Sequence, residues 1–195
     1  HHYQHLDLNK TLIDIHAAIE NGYYVNINYI SQRGNLKQYH IHPVKITYDT
    51  DENLYSILYF ENNQIESLRL DLITHLNLDT KHHVPDNVEM ERKLSEIAPN
   101  VWGNLFHDAP KSVKVKFYKE GRVWEKVRRD LECRTNGKLY EKNGFLYYED
   151  IVYGISKFSN WIYGYGSSAI VIEPNWLRQR IIQSLQDRKN AWEND

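Results

Sequence analysis

The chain reads as an α+β protein, with a small antiparallel β-barrel behind one helix and then an α+β sandwich. Three observations predict this. Closely spaced runs of alternating apolar and polar residues, separated by polar turns, fill the part before residue 71. From Lys111 onward, strand-like runs alternate with helical ones. Between the two lies His82 to Asp86 with Pro85, a break that marks a linker.

Asn9 to Glu20 has helical spacing, with Leu12, Ile15, His16 and Ile19 on one stripe, Asn9 as its cap and Gly22 just past its end. Tyr23 to Ile30 alternates with period two and stops at the hairpin signal Arg33-Gly34. Lys37 to Tyr48 and Leu54 to Glu61 follow as strands, joined by Asp49-Thr50-Asp51-Glu52-Asn53. Asn62-Asn63 turns the chain into a returning strand, Gln64 to Leu70. Asn87 to Ile97 and Asn100 to His107 are expected as short helices of the linker. Then come strand 112–118, helix 120–130, strands 131–140 and 144–153, helix 155–163, strand 167–173 and helix 175–192. That succession is compatible with a sandwich of ferredoxin-like type. Pro174 fits the start of the last helix, whose stripe is Leu177, Ile181, Ile182 and Leu185. The expected division is 3–80 for the barrel with its leading helix, 81–110 for the helical linker and 111–193 for the second domain.

The 195 residues carry 24 Lys+Arg and 26 Asp+Glu, and 13% are aromatic, too many for a disordered chain. No apolar run approaches the roughly 18 residues a membrane span needs. Cys133 is the one cysteine. It cannot form an internal disulfide, so folding needs no oxidising compartment. With no secretory signal, a cytoplasmic location is expected, and the sequon Asn9-Lys10-Thr11 is without meaning there. His1 and His2 read as the remnant of a purification tag. The net charge of −2 conceals an asymmetry. Residues 1–98 balance to −6 and residues 99–195 to +4, with Lys111 to Lys142 the most basic stretch. Lys114 and Lys116 alternate with Val113, Val115 and Phe117, which is the pattern of a half-buried strand with a solvated lysine face.

Gly164-Tyr165-Gly166-Ser167-Ser168-Ala169 has the letters of a dinucleotide fingerprint, but a strand follows it where that motif needs a helix. A glycine turn is expected instead. His40 and His42 project to one face of a strand, but no third or fourth ligand is evident unless the fold brings His75, His82 or His83 near. No metal and no cofactor are therefore expected. Cys133 lacks a thiol-enzyme motif and is expected to be a small buried residue. No carboxylate pair or catalytic constellation stands out, so the chain is not expected to be an enzyme. Arg69, in Arg69-Leu70-Asp71, can grip a phosphate bidentately or pair with Asp71.

Two stretches together resemble the regulators that carry a WYL domain followed by the extension called WCX. The first is Val25-Asn26-Ile27-Asn28-Tyr29, then Ile41-His42-Pro43, Leu54 to Tyr59 and Leu68-Arg69-Leu70-Asp71-Leu72-Ile73. The second is Trp161 to Ala169, Val171-Ile172-Glu173-Pro174 and Leu177-Arg178. The resemblance implies an SH3-like or Sm-like barrel and then a ferredoxin-like domain, in a dimeric bacterial or phage transcription regulator. It also implies an N-terminal winged helix-turn-helix that this chain lacks, through which duplex DNA is read. The WYL barrel of such proteins is thought to sense a nucleotide or short single-stranded nucleic acid through a basic pocket. Leu54 stands where Trp is usual and Ser56 where Leu is usual, and Tyr39 and Leu72 replace expected arginines. Arg69 is the matched cation. Tyr29, Tyr39 and Tyr55 offer stacking faces, and protonated His42 can meet an anion. The rival reading is a stand-alone accessory protein that binds a protein partner through Lys114, Lys116 and Arg122.

Overall fold

The computed structural model describes residues 7–50, 52–84, 88–103, 105–106 and 108–194. The chain divides into two compact units, His1–Glu96 with Asn104–His107 and Ile97–Gly103 with Asp108–Asp195.

In the first unit, helix α1 (Leu8–Asn21) is capped by Asp7 rather than Asn9. The Asp7 carboxylate accepts from the backbone N–H of Asn9 and Lys10 at 3.0 and 3.3 Å, which satisfies two otherwise orphan donors. The helix ends at Gly22, whose φ of 69° and closeness to the Val84 carbonyl oxygen, 2.8 Å from where a Cβ would sit, require glycine. Its buried residues are Thr11, Ile15 and Ala18. His16, expected on the buried stripe, is instead exposed and lies 3.1 Å from Glu20.

The strands are β1 (Tyr23–Ile30), β2 (Leu36–Ile41), β3 (Pro43–Asp49), β4 (Leu54–Glu61), β5 (Gln64–Arg69) and β6 (Ile73–His83). Three expectations change here. The run Lys37 to Tyr48 is two strands, because it breaks at His42, ahead of a proline with no N–H for a continuing ladder. The returning strand stops at Arg69, and a 3₁₀ turn, Leu70–Leu72, leads into β6, a strand the alternation had not announced. The strands then form two three-stranded antiparallel sheets, β2-β1-β6 and β3-β4-β5, rather than a closed barrel among the described residues. One core lies between them, with Ile15 and Ala18 from α1, Val25, Ile27 and Ile41 from one sheet, and Ile57, Tyr59 and Leu68 from the other. Helix α2 (Val88–Ile97) follows; Pro85 and Asn87 fall outside the described residues.

The second unit holds β7 (Lys111–Phe117), α3 (Val123–Asp130), β8 (Lys138–Lys142), β9 (Phe145–Val152), α4 (Ile155–Tyr163), β10 (Ala169–Glu173) and α5 (Asn175–Asn194). Its antiparallel sheet runs β10-β7-β9-β8. Val113, Val115, Phe117, Leu146 and Tyr148 of the sheet meet Val127 of α3, Phe158 and Ile162 of α4 and Leu177 of α5. The expected strand 131–140 is formed only from Lys138, since Leu131 to Gly137 is occupied by turns and by Arg134 reaching inward. The helix expected over Asn100 to His107 is not present in its described part. A 3₁₀ turn, Ala98–Asn100, leads instead to a parallel bridge from Val101 to Tyr153. On α5 only Leu177 of the expected stripe is buried; Ile182 and Leu185 are exposed, because the helix runs on beyond the strand it packs against. Cys133 is exposed rather than buried, in the turn after α3.

A buried polar knot ties this unit together. The Asp150 carboxylate accepts from Arg134 at 3.1 Å, from the Tyr148 hydroxyl at 2.5 Å and from the Asn100 side chain at 3.1 Å. Arg134 also donates to the Val101 carbonyl at 3.1 Å and lies over the Trp102 ring, 4.5 Å from its centre. Burial, aided by the adjoining carboxylate, pushes the Tyr148 phenol well above its ordinary range, so it stays a donor.

Candidate ligand site

Arg69 closes β5 and caps the 3₁₀ turn, which swings Asp71 back beside it. The guanidinium donates twice to that carboxylate, Nε to Oδ1 at 3.0 Å and Nη2 to Oδ2 at 2.7 Å. The hydrogen bond to Asp71, chiefly, raises the Arg69 pKa. About a third of the Arg69 side chain remains exposed. Of its five N–H donors, two face Asp71 in this fork.

Tyr29 comes from β1 and Tyr39 from the facing strand β2, where they stand edge to face at 5.7 Å. Tyr39 continues to Tyr59 of β4 at 6.3 Å. Both Tyr29 and Tyr39 are half-buried against the core, and Tyr59 is buried. Burial is the main cause that raises the Tyr29 phenol, with the Arg69 backbone amide opposing it. Burial and the nearby Glu61 carboxylate raise Tyr59 further. These phenols are neutral at ordinary pH, so they present hydrogen-bonding hydroxyls and ring edges beside a cation.

Tyr29, Tyr39 and Arg69 are thus brought together. Tyr55 is not. It sits near the tip of the β3–β4 hairpin, tilted against its cross-strand partner Tyr48 at 4.7 Å, and Tyr48 in turn donates to Asn53. His42 also belongs elsewhere, at the corner between the two sheets, where its Nδ1 meets the Tyr23 carbonyl at 2.9 Å. Sequence reasoning missed Tyr59, whose place follows from counting period two along β4 from Tyr55 through Ile57. It left Asp71 as one of two open partners for Arg69, and the structure seats it on the guanidinium.

A second polar locus lies on the other face of β2-β1-β6. His40 Nε2 is 3.0 Å and His82 Nδ1 is 2.6 Å from the same oxygen of Asp79. The His82 hydrogen bond, foremost, lowers the Asp79 pKa to about 2 against the opposing effect of burial. In the second unit, Lys114 is paired with Glu149 at 2.7 Å and Lys116 lies over the Tyr118 and Phe145 rings, whereas Arg122, Lys126 and Arg129 gather around Gly164 and Tyr165. The glycine segment is the expected turn between α4 and β10. No helix among the described residues is long and apolar enough to cross a membrane.

A model of the WYL domain matches residues 10–78 and a model of the WCX domain matches residues 109–187. No curated protein matches the chain. A solved structure described as a CRISPR Cas-related protein is similar in fold, with a TM-score of 0.63 at 12% identity over 95% of this chain and 53% of that one. This chain therefore spans about half the length of that structure. Proteasome accessory factor B/C of Arthrobacter aurescens aligns with a TM-score of 0.38 at 16% identity, over 88% of this chain and 25% of that one. With both domain models matched, in that order, the chain belongs to the WYL–WCX regulator family.

Proposed function

We propose that this chain is the effector-sensing and dimerisation part of a transcription regulator, and that its effector is a nucleotide or a short single-stranded nucleic acid. The observation that carries the reading is the Arg69–Asp71 fork beside Tyr29 and Tyr39. Asp71 holds the guanidinium in the planar geometry a phosphate would take, and a phosphate can replace it on the same donors. An exposed ion pair is worth about 0–1 kcal/mol. A charge-assisted hydrogen bond contributes about 1.5–3 kcal/mol. Displacing Asp71 from the surface pair therefore costs little, and a base against the tyrosine edges adds to what a phosphate gains on the same donors. Tyr55 and His42 are not part of this site in our reading.

We further read the first unit as an SH3-like or Sm-like module over 3–80, the second as a ferredoxin-like one over 111–193, with 81–110 as linker. The protein acts without catalysis, as a cytoplasmic homodimer in a bacterium or phage, and duplex DNA is read by a separate N-terminal domain. Effector binding shifts the regulator between two populated conformations, by as much as its affinities for them differ. Anisotropy of a labelled short single-stranded DNA across a salt series tests this, with nucleotides as competitors. Binding that weakens with salt and is lost in Arg69→Ala is expected. Equal affinity in wild type and Arg69→Ala would remove the site.

A second reading, an accessory protein binding an acidic protein partner, is favoured by one observation, the cluster of Arg122, Lys126 and Arg129. A partner captured through Arg122 but indifferent to Arg69 would support it.

A further inference from the structure

We infer that His40, Asp79 and His82 form a binding site for a divalent transition-metal ion of the zinc class. The three residues come from two strands that flank β1, and their ligand atoms lie within 4.8 Å of one another. Asp79 and His82 lie beyond the stretch that matches the WYL model.

The site is produced by an interruption in strand pairing. Tyr24 of β1 pairs with Asp79 of β6, but the next residue back, Tyr23, pairs with His83. Thr80, Lys81 and His82 are therefore extra on the β6 side, a bulge of three residues. The bulge lets His82 fold back over Asp79, where an uninterrupted strand would carry it away along the ladder. Within the bulge, the Lys81 backbone N–H donates to Asp79 Oδ1 at 3.0 Å, which turns Oδ2 toward the two imidazoles. Tyr24 forms the floor, stacked on His40 at 4.8 Å and edge-on to His82 at 6.4 Å. The carboxylate is largely covered, with 14% of its side chain exposed, while His40 and His82 are open at 43% and 63%.

This is the donor set of such an ion, two imidazole nitrogens and one carboxylate oxygen, with bonds of about 2.0–2.2 Å. At those lengths tetrahedral ligand atoms stand roughly 3.3–3.6 Å apart. The present separations of 3.0 and 2.6 Å from Asp79 Oδ2 are shorter than this and all three ligand atoms lie within 4.8 Å, so side-chain rotations bring them to those spacings. Each ring then carries its proton on the nitrogen that faces away from the ion. The fourth position opens to solvent, so water or a ligand atom from another molecule completes the shell. The Lys81 amide and the Tyr24 ring are the outer groups that hold the ligands in place.

Titration of the full chain with Zn²⁺ by calorimetry, after chelator treatment and dialysis, tests the inference, with Co²⁺ absorption as a second readout. Wild type binds one ion at these residues. His82→Ala and Asp79→Asn each lower the affinity at least tenfold and lose the Co²⁺ bands, while His16→Ala, at an exposed histidine on α1, leaves both unchanged. Circular dichroism of the metal-free variants matches wild type, because the His82 imidazole is exposed and asparagine at position 79 keeps the size of the carboxylate it replaces. No Zn²⁺ binding by wild type at 100-fold excess over protein would overturn the site. Binding by His82→Ala and Asp79→Asn equal to that of wild type would also overturn it.

Discussion

The two units each contain an Arg–Asp pair, and the pairs do opposite things. Arg134–Asp150 is sealed in, with 12% and 1% of the two side chains exposed, and its carboxylate has further donors in Tyr148 and Asn100. Arg69–Asp71 keeps 32% and 42% exposed and joins residues two apart in the chain. Buried, the charges are costly to leave unpaired, so the knot fixes a structure. At the surface, water can replace either partner, so the fork holds a geometry that a ligand can take over. The shorter contacts belong to the exposed pair, so burial and not distance separates the two roles.

The largest expected effect comes from breaking the sealed pair. Asp150→Ala leaves Arg134 and Tyr148 without their shared acceptor and should destabilise by about 3–5 kcal/mol in urea unfolding; a loss below 1 kcal/mol would put the two pairs in one class. Gly137→Ala probes the same knot sterically. A Cβ there would lie 2.4 Å from the Tyr148 ring, so a loss of about 1–3 kcal/mol is expected in the same measurement. Asp71→Asn sharpens the other side of the comparison. It should change stability by less than about 1 kcal/mol. It should also tighten single-stranded DNA binding in the anisotropy assay, because the competing carboxylate is gone; weaker binding would make Asp71 part of the effector contact instead.

The smallest effect concerns Asp79, a carboxylate held by two exposed histidines and the Lys81 amide. Its pKa is lowered to about 2 from 3.8, first by His82. Because the folded value lies below the unfolded one, the stability it contributes is complete above pH 3.8 and is lost as the pH falls toward 2. In His82→Ala its carbon resonance should titrate closer to 3.8. No movement would mean that another group holds it down.

What the sequence revealed follows the same division between local and distant causes. Helices α4 and α5 and strands β1 and β4 were legible because their spacing is set within each segment. β6 was not, since Thr74, His75, Asn77 and Asp79 blur its alternation, and it is held chiefly by pairing with β1. The divided strand was half legible, in that Pro43 marked where a ladder must stop but not that the chain would change sheets there. Arg69 with Tyr29 and Tyr39 could be assembled because the family pattern spans them. Cys133 was misplaced because burial depends on how Arg134 beside it turns inward, which no local pattern encodes. The metal-type cluster required the register of β1 against β6, and His40 was paired with the wrong histidine until that register was known.

The bulge in β6 means that a chain's length, more than its composition, decides whether the three side chains meet. A relative lacking Thr80 to His82 could keep every pair from Tyr24↔Asp79 onward and still have no such cluster, even with His40 and Asp79 retained. Gain or loss of this feature between lineages should therefore be written as an insertion or deletion between the partners of Tyr23 and Tyr24, and scanning for substitutions at the individual positions would pass over it.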